Sequence, residues 1–350
     1  MTNRLISYAE RDIAKVGAPI AGQIDYLYYQ REASLQRDLT MAKTTDYWVE
    51  GLVPAVFTPF DDNRELDLSK IEPYCDHLLK HNIRHIYVNG TTGEGKSLTL
   101  QERKTVAEKW IDVSKKRLSV MLHVGCMNMT DSLELTRHAV KAGADAIATL
   151  PPLFFKPTNI DALVRYCKAV ADEAPNLPFY YYHLPIMSHV YLNMEDFLVS
   201  AKEEIPNMAG VKFSDKDLVD LIGCRFLEDG RFNLLYGCDE QLMAGLVTGA
   251  HGAVGSLHNF MPDLYNRMMQ MLKDGDITSA RNEQIHGQRV CRILYRYGSI
   301  LGGNVAALKA IMSIIGLDMG PPREPMRAMT TQEFSNYKSE IESIGFHEWR

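Results

Sequence analysis

Short apolar runs rich in Val, Ile, Leu, Ala and Tyr recur along the chain from residue 51 onward, at 52–58, 85–89, 119–124, 145–150, 178–182, 209–213, 233–236 and 252–255. Continuous apolarity over so short a length suits a strand covered on both faces. Between the runs the period changes. Apolar residues at i, i+3 and i+4 predict amphipathic helices over 68–80, 100–114, 132–141, 160–172 and 240–247. The joints also repeat: Lys141-Ala142-Gly143-Ala144-Asp145-Ala146 and Thr248-Gly249-Ala250-His251-Gly252-Ala253 each put a glycine at a helix end just before a strand, the usual helix-to-strand connection. Repeated strand–helix units predict parallel strands with helical crossovers, and eight such units close into a (β/α)8 TIM barrel, here over residues 51–261. An open doubly wound sheet is the competing arrangement. Residues 262–350 predict a C-terminal helical extension, with helices over 263–273, 278–297, 304–315 and 332–343.

Residues 1–50 are different. They are polar, carry Tyr and Arg, and show no strong period, which predicts a flexible or partner-docking N-terminal extension. They lack the apolar core of a secretory signal, and Glu10, Asp12, Asp25 and Glu32 are foreign to an acidic-poor transit peptide. Over the whole chain 38 basic residues against 44 acidic give a net charge of −6, with no basic run. That balance argues against nucleic acid or an anionic membrane surface as the partner. No apolar run approaches the roughly 18 residues of a membrane span. The six cysteines are scattered without a CxxC pair, which predicts reduced thiols in the cytoplasm.

In such a barrel the chemistry gathers at the C-terminal ends of the strands. After the second run comes Asn89-Gly90-Thr91-Thr92-Gly93-Glu94-Gly95-Lys96-Ser97, whose residues 90–97 match the phosphate-loop pattern GxxxxGK[ST] of nucleotide hydrolases. In that motif the helix opens at the Gly-Lys-Ser and turns its amides on phosphate. Here Thr99 and Glu102 make a capping box that starts the helix later. The loop then reads as a cradle in which Thr91 and Thr92 offer hydroxyls to a carboxylate, or as a tight turn that needs its glycines. Lys212, at the end of the sixth run, either snorkels to water or serves as an amine nucleophile, because burial disfavours an ammonium and neutral amines attack ketones. In Tyr180-Tyr181-Tyr182, alternation puts Tyr180 and Tyr182 on one face and Tyr181 on the other. Tyr182 is then either core or a proton carrier at the mouth. Gly237-Cys238-Asp239-Glu240 and Ser256 complete the rim, with Asp239 either capping a helix at Glu240 or accepting hydrogen bonds from a polyol. His77 and His81 have metal-ligand spacing but fall on a helix of the outer ring, so no metal site is predicted.

Gly90-Thr91-Thr92-Gly93-Glu94, Tyr182-His183-Leu184-Pro185, Val211-Lys212-Phe213-Ser214-Asp215 and Gly237-Cys238-Asp239-Glu240, in that order, resemble the motifs of the N-acetylneuraminate lyase and dihydrodipicolinate synthase superfamily of class I aldolases. The likeness runs from about Gly51 to the C-terminus. It implies a Schiff base between Lys212 and the C2 ketone of sialic acid or pyruvate, with no metal or organic cofactor. Thr91 and Thr92 would bind the carboxylate, and Tyr182 would take the proton of the C4 hydroxyl. Ser214, Gly237, Asp239, Glu240 and Ser256 would hold the sugar's hydroxyls and carboxylate end. The resemblance further implies N-acetylmannosamine and pyruvate as products and a homotetramer as the assembly. A related pyruvate-dependent enzyme, of the 4-hydroxy-2-oxoglutarate aldolase or dihydrodipicolinate synthase type, is the alternative. Three departures stand out. Met187 occupies the place of an Arg with which the synthases grip a second carboxylate. Leu153-Phe154-Phe155 offers no phenol where many members carry a relay Tyr from the neighbouring subunit. Leu257-His258 follows Ser256 where lyases more often have Thr-Tyr.

Overall fold

The computed structural model describes residues 47–350; residues 1–46, most of the predicted N-terminal extension, lie outside the described residues. Eight parallel strands, β1 Gly51–Pro54, β2 His85–Val88, β3 Ser119–His123, β4 Ala146–Thr149, β5 Phe179–His183, β6 Met208–Phe213, β7 Asn233–Tyr236 and β8 Gly252–Gly255, pair in the order β1-β8-β7-β6-β5-β4-β3-β2. A bridge between Ala55 and Tyr87 joins the two ends, so the sheet curls into a barrel and the open-sheet alternative falls. Helices α1 Ile71–Lys80, α2 Leu100–Ser114, α3 Met129–Ala142, α4 Ile160–Ala171, α5 Met194–Glu204, α6 Leu218–Phe226 and α7 Leu242–Val247 alternate with the strands. Helices α8 Pro262–Lys273, α9 Ile277–Ile300, α10 Asn304–Ile314 and α11 Thr331–Ser343 follow.

Strand alternation sorts the apolar side chains into two cores. Val53, Tyr87, Met121, Ala148, Tyr180, Tyr182 and Val254 fill the barrel interior. Ile86, Val120, Ile147, Tyr181, Val211 and Leu234 pack outward with the helices. Tyr180 and Tyr182 thus share the inner face and Tyr181 takes the outer one, as the period of two requires.

Several bounds differ from the sequence pattern, each for a local reason. Strand β1 stops at Pro54 because the chain changes partners there: Ala55 N–H donates to Gly255 and Val56 N–H to Tyr87. The 68–80 segment opens with a 3-10 turn, Leu68–Lys70, capped by the Asp67 carboxylate. Helix α7 starts at Leu242 because Asp239–Gln241 form a separate 3-10 turn. Helices α5 and α6 were not singled out by the pattern. In α6, Val219 and Phe226 are exposed while Leu221 is buried, which blurs the polar face that periodicity relies on.

The N-terminal end of the barrel is closed by the segment just before β1. Val49 is fully buried; its N–H donates to Asn233 Oδ1 at 3.2 Å and its carbonyl accepts from Asn233 Nδ2 at 3.0 Å. Tyr180 donates to the same Oδ1 at 2.8 Å, and Tyr47 bonds Ser119 Oγ at 2.8 Å. Asn233 therefore ties the strap, β5 and β7 together. Replacing it with leucine keeps the volume but strands three buried polar groups, so Asn233→Leu should lower the unfolding free energy by about 2–4 kcal/mol. Chemical denaturation measures this; a loss well under about 1 kcal/mol would contradict the strap's role.

Candidate active site

Each strand delivers its last residues to the C-terminal mouth, where a cavity of about 480 Å³ opens. Thr91, Thr92, Tyr182, Lys212, Ser214, Gly237, Asp239, Glu240 and Ser256 all line it, so the structure brings together every candidate from the sequence. Lys212 lies opposite Tyr182 on β5 and Leu235 on β7. It is 4% exposed. Its Nζ sits 3.8 Å from the centre of the Tyr182 ring and 4.4 Å from that of Tyr87. Among the described residues no carboxylate pairs with it. The strand-end lysine therefore points inward, into the mouth, rather than snorkelling to water.

The glycine-rich turn stands beside it. Thr91 Oγ1 is 3.5 Å from the Tyr182 hydroxyl, and Thr92 Oγ1 is 2.7 Å from Ser256 Oγ. A side chain at Gly95 would place its Cβ 2.0 Å from the Asn89 carbonyl oxygen, so the turn closes only with glycine there. Thr99 and Glu102 form the capping box that opens α2. Lys96 donates to the Gly125 carbonyl at 2.7 Å, and Gly95-Lys96-Ser97 lies in the turn ahead of α2 instead of opening the helix, which removes the phosphate-loop reading.

On the other side Ser214 Oγ is buried and has no partner among the described residues. Buried hydroxyls are nearly always bonded, so this one is free to bond a polar group in the cavity, water included. Gly237 leaves room for it: a Cβ there would fall 1.9 Å from that oxygen. Asp239 does not cap α7. Its Oδ2 accepts the N–H groups of Ser256 and Leu257 at 2.8 and 2.9 Å, which ties the β7 loop to the β8 loop. Glu240 is held from α9, where the Tyr295 hydroxyl donates to its Oε2 at 3.1 Å.

Nearby groups stay in defined states. Burial, helped by the positive charges of Lys96, Arg103 and Lys212, holds His123 well below its usual value, so a neutral imidazole packs edge-on to Tyr182. Burial, reinforced by Glu240 and Asp239, pushes the Cys238 thiol up to about 12, which disqualifies it as a thiolate nucleophile. His183 holds the Asp215 carboxyl below its usual value. His77 and His81 bond Asn259 and Asp263, and among the described residues no group of three or more His, Cys, Asp or Glu is arranged for a metal. Asp215, Lys216, Tyr295 and Asn304 also line the mouth. Sequence reading missed Tyr295 and Asn304 because they arrive from helices beyond the barrel.

The chain as a whole is similar to known proteins. The model of the dihydrodipicolinate synthetase family matches residues 48–344. The chain belongs to that family. The N-acetylneuraminate lyase of Gallus gallus is 44% identical over 300 residues, covering 85% of this chain and 96% of that protein. The Proteus mirabilis N-acetylneuraminate lyase structure superposes with a TM-score of 0.82 at 35% identity, covering 86% of this chain and all of that one. A catalytic-lysine mutant of Ruminococcus gnavus sialic acid aldolase superposes at 0.79 with 29% identity, covering 86% and 98% of the two chains.

Asp239→Ala would leave the buried Leu257 amide and the half-buried Ser256 amide without their acceptor and should destabilise the fold by about 2–3 kcal/mol. It should also loosen the β8 loop, visible as faster amide exchange at Ser256 and Leu257. Unchanged stability and exchange would show that the carboxylate does not tie the loops.

Proposed function

We propose that this chain is a carbon–carbon lyase that cleaves N-acetylneuraminate reversibly to N-acetylmannosamine and pyruvate through an imine on Lys212. The observation that carries the reading is the buried Lys212 amine, without a carboxylate partner among the described residues, lying against Tyr182 beside the Thr91–Thr92 turn. The names of the Gallus gallus and Proteus mirabilis relatives, and the catalytic lysine of the Ruminococcus gnavus enzyme, support it.

Lys212 Nζ adds to the C2 ketone and water leaves, giving an iminium at C2. Thr91 and Thr92 hold the neighbouring carboxylate. Tyr182 takes the proton from the C4 hydroxyl, and the C3–C4 bonding pair moves into the iminium as the C4 oxygen becomes the aldehyde of N-acetylmannosamine. The enamine left on Lys212 takes at C3 the proton that Tyr182 relays from the C4 hydroxyl, and water hydrolyses the imine to release pyruvate. The iminium is the electron sink, so the reaction uses no metal or organic cofactor. Ser214, Gly237, Asp239, Glu240 and Ser256 line the side where the sugar's hydroxyls lie. Met187, exposed and uncharged, favours sialic acid over the dihydrodipicolinate synthase alternative, whose substrate carries a second carboxylate.

The working form is a cytoplasmic homotetramer. Free cysteines throughout support a reducing compartment. Phe154 and Phe155 on the loop after β4, with Ile186, Met187 and Tyr191 after β5, are exposed apolar side chains on adjacent rim loops, which supports burial against another copy.

Purified protein should release pyruvate from N-acetylneuraminate with a higher kcat/KM than from 4-hydroxy-2-oxoglutarate, and should not condense pyruvate with aspartate semialdehyde. Preference for either competitor overturns the substrate assignment. Tyr182→Phe should lower kcat for cleavage by roughly 100-fold or more, while pyruvate still forms the lysine imine. Cleavage at the unmodified rate would remove Tyr182 from the proton step.

A further inference from the structure

The Thr91–Thr92 turn is supported from behind by residues that do not line the cavity. Glu94 stands at φ 53°, in the left-handed region, and its N–H donates to the Thr91 carbonyl at 3.0 Å. Its carboxylate is enclosed. Lys309 Nζ from α10 lies 2.7 Å from Oε1, with side-chain exposures of 3% and 0% for the two residues. The Arg323 N–H donates to Oε2 at 2.8 Å. Lys309 also donates to the Pro321 carbonyl at 3.2 Å, and the Phe60 ring lies 4.1 Å from its Nζ and 4.7 Å from the Arg323 guanidinium. Lys309 and Arg323 both come from beyond the barrel.

Stability alone is a poor reason for this arrangement, because an apolar pair of the same volume in such a place is often as stable or more so. What a fully enclosed ion pair supplies is direction. It fixes the carboxylate of Glu94 at two points, and through the Glu94 backbone it fixes the turn carrying Thr91 and Thr92. Burial pushes Lys309 down to about 8, a fall that Glu94 opposes, so near neutral pH Lys309 remains an ammonium.

We propose that the Glu94–Lys309 pair is a positioning device that sets how tightly the Thr91–Thr92 turn grips the carboxylate of an α-keto acid, making the C-terminal helices part of substrate affinity. The inference rests on the aldolase reading above and assigns neither residue a contact with substrate. Its signature is selective: a ligand's carboxylate should feel the loss of the pair, and its ketone should not.

The test compares pyruvate with methyl pyruvate, which keeps the ketone and lacks the anionic carboxylate, as ligands for cyanoborohydride trapping on the full chain. Glu94→Gln and Lys309→Met should each raise the half-saturating pyruvate concentration by roughly tenfold. The value for methyl pyruvate should move by less than about threefold. Glu94→Asp retains the charge but cannot reach both Lys309 and the Arg323 N–H; it carries the test if the first two variants do not fold, with roughly threefold loss of discrimination expected. Equal losses for both ketones, or an unchanged ratio in folded variants, overturn the proposal. Wild-type protein that traps neither ketone overturns the aldolase reading instead.

Discussion

The organising constraint is a lysine that is withdrawn from water yet has no counter-ion among the described residues. Isolated charges are costly to bury, and proteins normally pair them or keep them in solvent. Lys212 does neither. It projects from β6 into the barrel and lies across the faces of Tyr182 and Tyr87. A closed ring of strands can hold a side chain this way because its inner face is lined by neighbours on every side. Asn233 and the Val49 strap close the far end, so access to the amine is from the C-terminal mouth.

The two sides of that mouth are braced by the same part of the chain. The threonine turn is fixed by Glu94, Lys309 and Arg323. The β7 and β8 loops are joined by Asp239, whose own carbonyl accepts from Gln284 of α9 at 3.0 Å, and Tyr295 of α9 steadies Glu240. The C-terminal helices are thus the frame that keeps both halves of the site in register around the amine. Catalytic geometry demands such rigidity, since small misplacements of reacting groups are expensive.

How much of this the sequence reveals depends on range. The strands were legible because each is buried on both faces and reads as an apolar run. The positions of Tyr182 and Lys212 at the mouth were legible because alternation and strand ends predict which side chains a barrel turns there; their roles came only from the family resemblance. Helix α6 was less visible because its exposed face carries Val219 and Phe226. Asp239 was ambiguous, since a cap and a loop tie look alike until the β8 amides are placed beside it. Asn233, Tyr295 and the Glu94–Lys309 pair carry no local signal at all: their partners lie far away in the chain, and nothing in their immediate neighbours announces them.

The central claim is that the Lys212 amine meets an α-keto acid whose carboxylate is held by the adjacent turn. A crystal soaked in pyruvate tests it most directly. The account predicts density continuous from Lys212 Nζ to C2 of pyruvate, with the carboxylate within hydrogen-bonding distance of Thr91 and Thr92. Pyruvate bound without a bond to Lys212, or with its carboxylate turned away from that pair, would contradict it.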